Sequence, residues 1–302
     1  MVATQTAARV RPATPADSRA AFDVLMDAVR DLTARQGLDW SPDPDKFWAD
    51  SGSLYGHMAT HAAEWWLAED DASGELLGYA RSVERGGMFE LSEFFVRPAH
   101  QSAGIGRQLL DRAFPPERGD LRVIVATTDV RALRSYYRAG TAARFPIASL
   151  EGAPRRTDDD GLLVATHADA DDIGTLTRLE AAVLEFPRSP ADFNWLLEQR
   201  EGWLYLAEGT PIGFAFVGRP SSGPLVALEP GYQASMLRHV EGRAAELEVE
   251  TLTLEIPMVN EVAARHLLDR GFKFDAFLTL LMSSRPFGKF DRFIGLSPPL
   301  VL

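Results

Sequence analysis

The segment Phe89 to Phe114, FELSEFFVRPAHQSAGIGRQLLDRAF, holds the residue pattern with the most chemical content. An apolar run ends near Val96 and Pro98 and is followed by Gln101 and by glycines at 104 and 106. A helical pattern follows, with Ile105, Leu109, Leu110 and Ala113 on one face. Strand, glycine loop and helix in that order predict an anion seat. The first-turn amides of such a helix lack intrahelical acceptors and point outward, and the helix dipole adds a positive potential worth up to about 2 kcal/mol in sheltered sites. Glycine suits positions 104 and 106 because a side chain there would hold a pyrophosphate away from those amides. No Gly-Lys-Ser/Thr follows, so the loop is not of the Walker type, and the three-glycine dinucleotide fingerprint is absent.

The elements that must position this loop follow from periodicity and punctuation. A strand is predicted at 10–11, a helix at 18–32 behind Asp17 as N-cap, and a second helix near 45–61. Strands are predicted at 64–69, 75–83 and 89–96, a helix from 104 to 114, a strand at 121–127 and a helix at 130–139. That order makes an α/β unit with a mixed sheet whose faces need helices to cover them.

The unit is written twice. Ala13-Thr14-Pro15-Ala16-Asp17 returns as Ala165-Thr166-His167-Ala168-Asp169 at an offset of 152, and Leu67-Ala68-Glu69 as Leu206-Ala207-Glu208 at 139. Gly78-Tyr79-Ala80 returns as Gly213-Phe214-Ala215 at 135, Pro98 and Gln101 as Pro230 and Gln233 at 132, and Ala132 and Gly140 as Ala263 and Gly271 at 131. The offset falls steadily along the chain, as expected of a second copy that has been shortened. Pro, Gly and a charge run interrupt the periodicity between Glu151 and Gly161, so the expected domains are 1–154 and 162–302.

Composition narrows the class. With 46% hydrophobic and 25% charged residues the chain is globular rather than disordered. The absence of cysteine excludes disulfides, Cys-ligated zinc and a thiol nucleophile. The net charge of −12 argues against nucleic acid, and no apolar run suggests a membrane span or export signal, so a cytoplasmic protein is expected. The charge is uneven: residues 1–156 carry 19 basic and 21 acidic groups, and residues 157–302 carry 12 and 22. A polyanionic ligand is therefore opposed less by the first half.

Gln101-x-x-Gly104-x-Gly106 after Phe95-Val96-x-Pro98 resembles the coenzyme A pyrophosphate loop of the GNAT superfamily of acyl-CoA N-acyltransferases. The resemblance implies two tandem GNAT-like domains of mixed α/β fold, with acetyl-CoA as co-substrate and no metal. It implies that main-chain groups of Phe95 and Val96 pair with the pantetheine arm, and that amides of Gln101, Ser102, Ala103, Gly104, Ile105, Gly106 and Arg107 hold the pyrophosphate. Asp129-x-x-Ala132-x-x-x-Tyr136-x-x-x-Gly140-Thr141 matches the family's Asn-x-x-Ala-x-x-x-Tyr-x-x-x-Gly-Phe at Ala132, Tyr136 and Gly140. It departs at Asp129, whose carboxylate offers no donor, and at Thr141. Tyr136 is thereby implied as the general acid that protonates the departing thiolate.

An amine that attacks a thioester must be neutral, so a base or a relayed water is needed. The candidates are Glu90, at the position where many members of the family carry the base, and Glu93. Strand alternation puts Glu90 with Ser92 and Phe94 on one face, and Glu93 with Leu91 and Phe95 on the other. The family places acceptor binding at the first helices, where Trp40, Phe47, Trp48, Tyr55, His57 and His61 could include an aromatic wall for a cation. His57 and His61 lack a third metal ligand. In the second copy Gln233-Ala-Ser-Met-Leu-Arg238 replaces the glycine loop and Leu267 the tyrosine, whereas Asn260, Ala263, Gly271 and Phe272 keep the pattern. The expectation is an N-acetyltransferase that acts by direct transfer to a primary amine of a small molecule, as a monomer or homodimer, with a second half that does not catalyse. The alternative is an acyl-CoA-binding sensor or scaffold. The apolar, Pro-rich tail from Arg285 is expected to pack across a domain face.

Overall fold

A computed structural model describes residues 8–101, 104–157, 160–219 and 221–296. The chain divides into two compact units, Met1–Ala142 and Ala143–Leu302. The first contains β1 (Ala8–Pro12), α1 (Ser18–Arg35), α2 (Pro44–Thr60), β2 (Glu64–Asp70), β3 (Leu76–Arg85), β4 (Met88–Val96), α3 (Ile105–Ala113), β5 (Leu121–Thr127) and α4 (Val130–Arg138). After β6 (Ala142–Gly152) the same order returns as β7 (Val164–Ala168), α5 (Ile173–Leu184), α6 (Pro190–Gln199), β8 (Glu201–Ala207), β9 (Thr210–Val217), β10 (Leu225–Ala227), α7 (Gln233–Glu246), β11 (Leu252–Pro257), α8 (Glu261–Asp269) and β12 (Lys273–Ser283). Even the short 3₁₀ turns recur, Pro15–Asp17 as Ala170–Asp172 and Pro98–His100 as Pro230–Tyr232. A final strand, β13 (Phe293–Ile294), has no counterpart among the described residues of the first unit.

Local chemistry sets the helix starts. The Asp43 carboxylate accepts the N–H groups of Asp45 and Lys46 at 2.8 and 3.0 Å, and Pro44 presets the first turn of α2. Asp129 caps α4 by accepting from Arg131 N–H, and Asn260 caps α8 by accepting from Ala263 N–H.

In the first unit the strand order is β1-β2-β3-β4-β5, antiparallel except for the parallel pair β4–β5. Ser82 of β3 donates to the Ala113 carbonyl of α3, so α3 covers the Ser82 face; Arg81 reaches the Tyr55 carbonyl of α2 on the opposite face. Phe22 of α1 meets Trp48 and Tyr55 of α2 edge to face, which ties the two helices together.

The register of β3 on β4 shifts between Arg81 and Ser82: Arg81 faces Glu93, Ser82 faces Leu91 and Val83 faces Glu90. Ser92 is the extra residue of a β-bulge. The bulge breaks simple alternation, so Glu90 and Glu93 lie on the same face, that of Val83 and Arg81, and not on opposite faces as the sequence predicts.

In the second unit the order is β7-β8-β9-β10-β13 in one sheet, and β12-β6-β11 are neighbours in another. Leu150, Tyr205, Met236, Leu254, Leu267 and Ile294 share its core. β6 pairs with β11 in an antiparallel ladder from Gly152–Leu252 to Ile147–Pro257. By its contacts β6 is therefore part of the second unit, and the division falls at Ala142, ahead of the Pro- and Gly-containing segment where the sequence signals a break. The tail from Arg285 supplies β13 to the second unit. Among the described residues no helix is long and apolar enough to cross a membrane.

Candidate active site

The ladder between β4 and β5 covers only Met88–Leu91 against Leu121–Ile124. Beyond Leu91, β4 keeps β3 on one side and has no strand on the other among the described residues. Arg97 N–H donates to the Leu77 carbonyl at 2.8 Å. Antiparallel alternation then turns the main-chain groups of Phe95 toward β3 and those of Phe94 and Val96 toward the gap. Of the two residues expected to pair with an extended ligand, Val96 faces the gap. Phe95 does not, and Phe94 takes its place because hydrogen-bonding direction has a period of two.

Gln101 closes the loop by donating from Nε2 to the Val96 carbonyl at 3.0 Å. Gly104 is the N-cap of α3 at φ +84°, a left-handed conformation that favours glycine, with open space where a Cβ would stand. A Cβ on Gly106 would stand 3.1 Å from Phe94 Cζ, so glycine lets the helix start lie close beside the strand. The Ile105 side chain is buried in the core, and that of Arg107 points to solvent beside Asp111. Both can therefore serve an anion only through first-turn amides. Ser102 and Ala103 lie outside the described residues. An open strand edge ending at an amide-lined helix start fits the amide-bearing arm and pyrophosphate of an acyl-CoA.

Tyr136 stands on α4 with its ring edge-on to Phe94, centroids 6.2 Å apart. It is 5% exposed, and its hydroxyl has no hydrogen-bond partner among the described residues. Burial, and then the negative charge of Asp129, push the phenol well above its ordinary pKa. Arg122 of β5 fixes α4 against α3: its guanidinium donates to Phe114 O at 2.7 Å and to Ala139 O, the C-caps of the two helices, and lies over the Phe114 ring. Sequence reasoning missed this residue, although a lone cation inside the apolar run LRVIVAT was a visible signal. Asp129, besides capping α4, pairs with Arg131 at 2.7 Å and Arg35 at 3.2 Å, which lowers its pKa to about 2.

Glu90 and Glu93 are both buried. Glu93 accepts from Tyr79 Oη at 2.7 Å and forms an ion pair with Arg81, whose guanidinium also donates to Tyr55 O and stacks over Trp65 at 4.7 Å. Glu90 has Arg85 at 3.7 Å. Tyr79 and Arg81 were not foreseen as partners, since only the bulge brings Glu93 to their face. The aromatic residues near the acceptor helices pack on one another: Trp48 stacks on Tyr55, and Trp40 meets Phe47. The cation over Trp48 is the protein's own Arg19, at 5.5 Å. His57 and His61 lie side by side, and among the described residues no group of three His, Cys, Asp or Glu is placed to hold a metal.

Residues 61–140, from the start of β2 to the end of α4, match the family model of the acetyltransferase (GNAT) domain. That segment is therefore similar to a GNAT domain. The matched segment holds Glu90, Glu93, the glycine seat and Tyr136 together. A candidate acetyltransferase from Pyrococcus horikoshii is similar in structure over 95% of this chain and 92% of its own, at 17% identity and a TM-score of 0.72. A GCN5-related N-acetyltransferase from Sphaerobacter thermophilus covers 95% and 98%, at 14% identity and 0.63. A tandem GNAT protein from the clavulanic acid biosynthesis pathway covers 93% and 99%, at 14% identity and 0.56. At these identities the likeness establishes the fold: a mixed α/β GNAT architecture written in tandem. No curated protein matches the sequence.

Proposed function

We propose that this protein is an acetyl-CoA-dependent N-acetyltransferase that moves an acetyl group directly to a primary amine of a small molecule, with one active site in the first half and a second half that does not catalyse. The observation that carries this reading is the Tyr136 hydroxyl, without a hydrogen-bond partner among the described residues and beside the open edge of β4, where burial keeps the phenol protonated. Acetyl-CoA, when bound, supplies the acyl group as a reactive thioester. Val96 and Phe94 hold the arm by main-chain pairing, and the amides of Gly104 to Arg107 hold the pyrophosphate. Tyr136 keeps a proton on Oη to deliver to the departing sulfur. Glu90 takes the amine's proton; since it is buried, the transfer runs through a relayed water. Glu93, with both oxygens engaged by Tyr79 and Arg81, anchors the strand behind it.

The test is thiol release from acetyl-CoA against a panel of amines, aminoglycosides, amino acids and peptides. Turnover with an amine that is lost in Tyr136→Phe supports the reading. Tight acetyl-CoA binding without turnover on any acceptor supports a sensor or scaffold instead. Asp129 favours that second reading, because its carboxylate is committed to Arg131 and Arg35 where the family pattern has an amide donor.

A further inference from the structure

By element order, the second-unit counterparts of β4 and β5 are β10 and β11. β10 and β11 share no ladder among the described residues, and β13 lies between them. Leu225 and Val226 of β10 face Ile294 and Phe293 in an antiparallel ladder, and Gly295 N–H donates to the Glu255 carbonyl of β11 at 2.8 Å. The gap that stands open in the first unit is filled here by the chain's own C-terminal segment.

The groups around the filled gap are adapted to that segment. Gln233 and Asn260 occupy the repeat positions of Gln101 and Asp129, and both are fully buried. Asn260 Nδ2 donates to the Phe293 carbonyl at 3.1 Å and to Gln233 Oε1 at 2.6 Å, while Gln233 Nε2 donates to the Asp291 carbonyl at 2.7 Å. The amide donors are thus spent on main-chain carbonyls of residues 291–293, as they could be on the amides of a pantetheine arm. Where the first unit has its glycine seat, α7 starts directly at Gln233, and Met236 and Leu237 turn into the core. Phe290, Phe293, Ile294 and Leu296 are all buried. A Cβ on Gly295 would stand 3.3 Å from Glu255 Cβ, so glycine permits the close approach to β11.

We propose that residues 290–296 are the resident ligand of the second unit, a peptide surrogate for the acyl-CoA arm, so that this unit takes no cofactor and stays folded without one. The comparison with the arm rests on the reading of the first unit as the acyl-CoA site; occupation of the gap by the segment does not. The test is hydrogen exchange read by mass spectrometry on the intact chain, with coenzyme A stoichiometry from native mass spectrometry. In the unaltered protein the amides of 290–296 exchange as slowly as those of β8 and β9, and a chain takes no more than one coenzyme A. Asn260→Asp, which turns a donor into a carboxylate against the Phe293 carbonyl, and Gly295→Val speed exchange at 225–227, 252–257 and 290–296 by about tenfold or more, leaving 88–96 unchanged. Exchange of 290–296 at loop rates in the unaltered protein, or two coenzyme A molecules per chain, overturns the proposal. Both of those readings come from the unaltered protein, so they decide the matter even if the variants do not fold. Slow exchange of 290–296 with no coenzyme A bound at all would sink the assignment of the first unit alone.

Discussion

Glu90 and Glu93 share one face of β4, opposite Val83 and Arg81, because the strand carries an extra residue at Ser92. The bulge lets one strand present two carboxylates to the same side, each beside an arginine of β3. Their roles separate by what surrounds them. Glu93 has both oxygens engaged, so Glu93→Ala leaves the Arg81 guanidinium, 1% exposed, without its counter-charge. The expected loss is about 3–5 kcal/mol of stability in chemical denaturation, with Glu90→Gln acting mainly on turnover. Equal stability losses in the two variants would remove the distinction.

Tyr136→Phe keeps the ring against Phe94 and removes only the hydroxyl. Turnover is expected to fall by about 10²- to 10⁴-fold with acetyl-CoA binding and melting temperature unchanged. Because burial raises the phenol above its ordinary pKa of 10.0, the turnover of the unaltered protein should show no decline from this group on the alkaline side up to that pH. A limb near neutrality that vanishes in Tyr136→Phe would contradict the assignment.

Asp129 has a folded pKa of about 2 against an ordinary 3.8. A depressed carboxylate stabilises the fold fully above its unfolded pKa, and that contribution disappears as pH falls through the folded one. Asp129→Ala should cost about 0.5–2 kcal/mol near neutrality through the lost cap. The gap between variant and unaltered protein should narrow as acid denaturation is followed from about pH 5 toward pH 2. A constant gap would show that the charge contributes nothing.

Gly104→Ala places a Cβ in open space but in a left-handed backbone, so its cost to folding is strain of about 1–2 kcal/mol. Gly106→Val instead meets Phe94 and should weaken acetyl-CoA binding more than it lowers the melting temperature. Calorimetric titration beside thermal melts distinguishes the two effects. The reverse ranking would mean that the glycines serve packing and not the ligand.

The legible parts of this molecule are those written over short distances. Gln101, Gly104 and Gly106 sit within one loop and the first turn of α3, and Ala132, Tyr136 and Gly140 within α4 and the turn that ends it, so spacing alone places them. The repeat was visible too, because short matches recur in chain order, although the structure pairs the turn 15–17 with 170–172 where the sequence match pairs Asp17 with Asp169. The bulge at Ser92 was not, since no glycine or proline marks it and a single unpaired residue reverses the face of everything beyond it. Arg81, Tyr79 and Arg122 escaped notice because their partners come from other strands and from helix ends. The destination of residues 290–296 was hidden for the same reason: a short strand is chosen by the gap that receives it.

The pairing of β6 with β11 bears on how the two copies can be separated. Residues 142–152 are made with the first copy and find their hydrogen bonds in the second. A protease that cut between 153 and 161 would release a first fragment ending in an apolar strand without its ladder, the kind of edge that recruits other chains. The same cut would leave the second fragment missing Ile147, Ala148 and Leu150 from its core. The boundary of the second module therefore lies ahead of β6, and a second fragment keeps its core only if it begins before that strand.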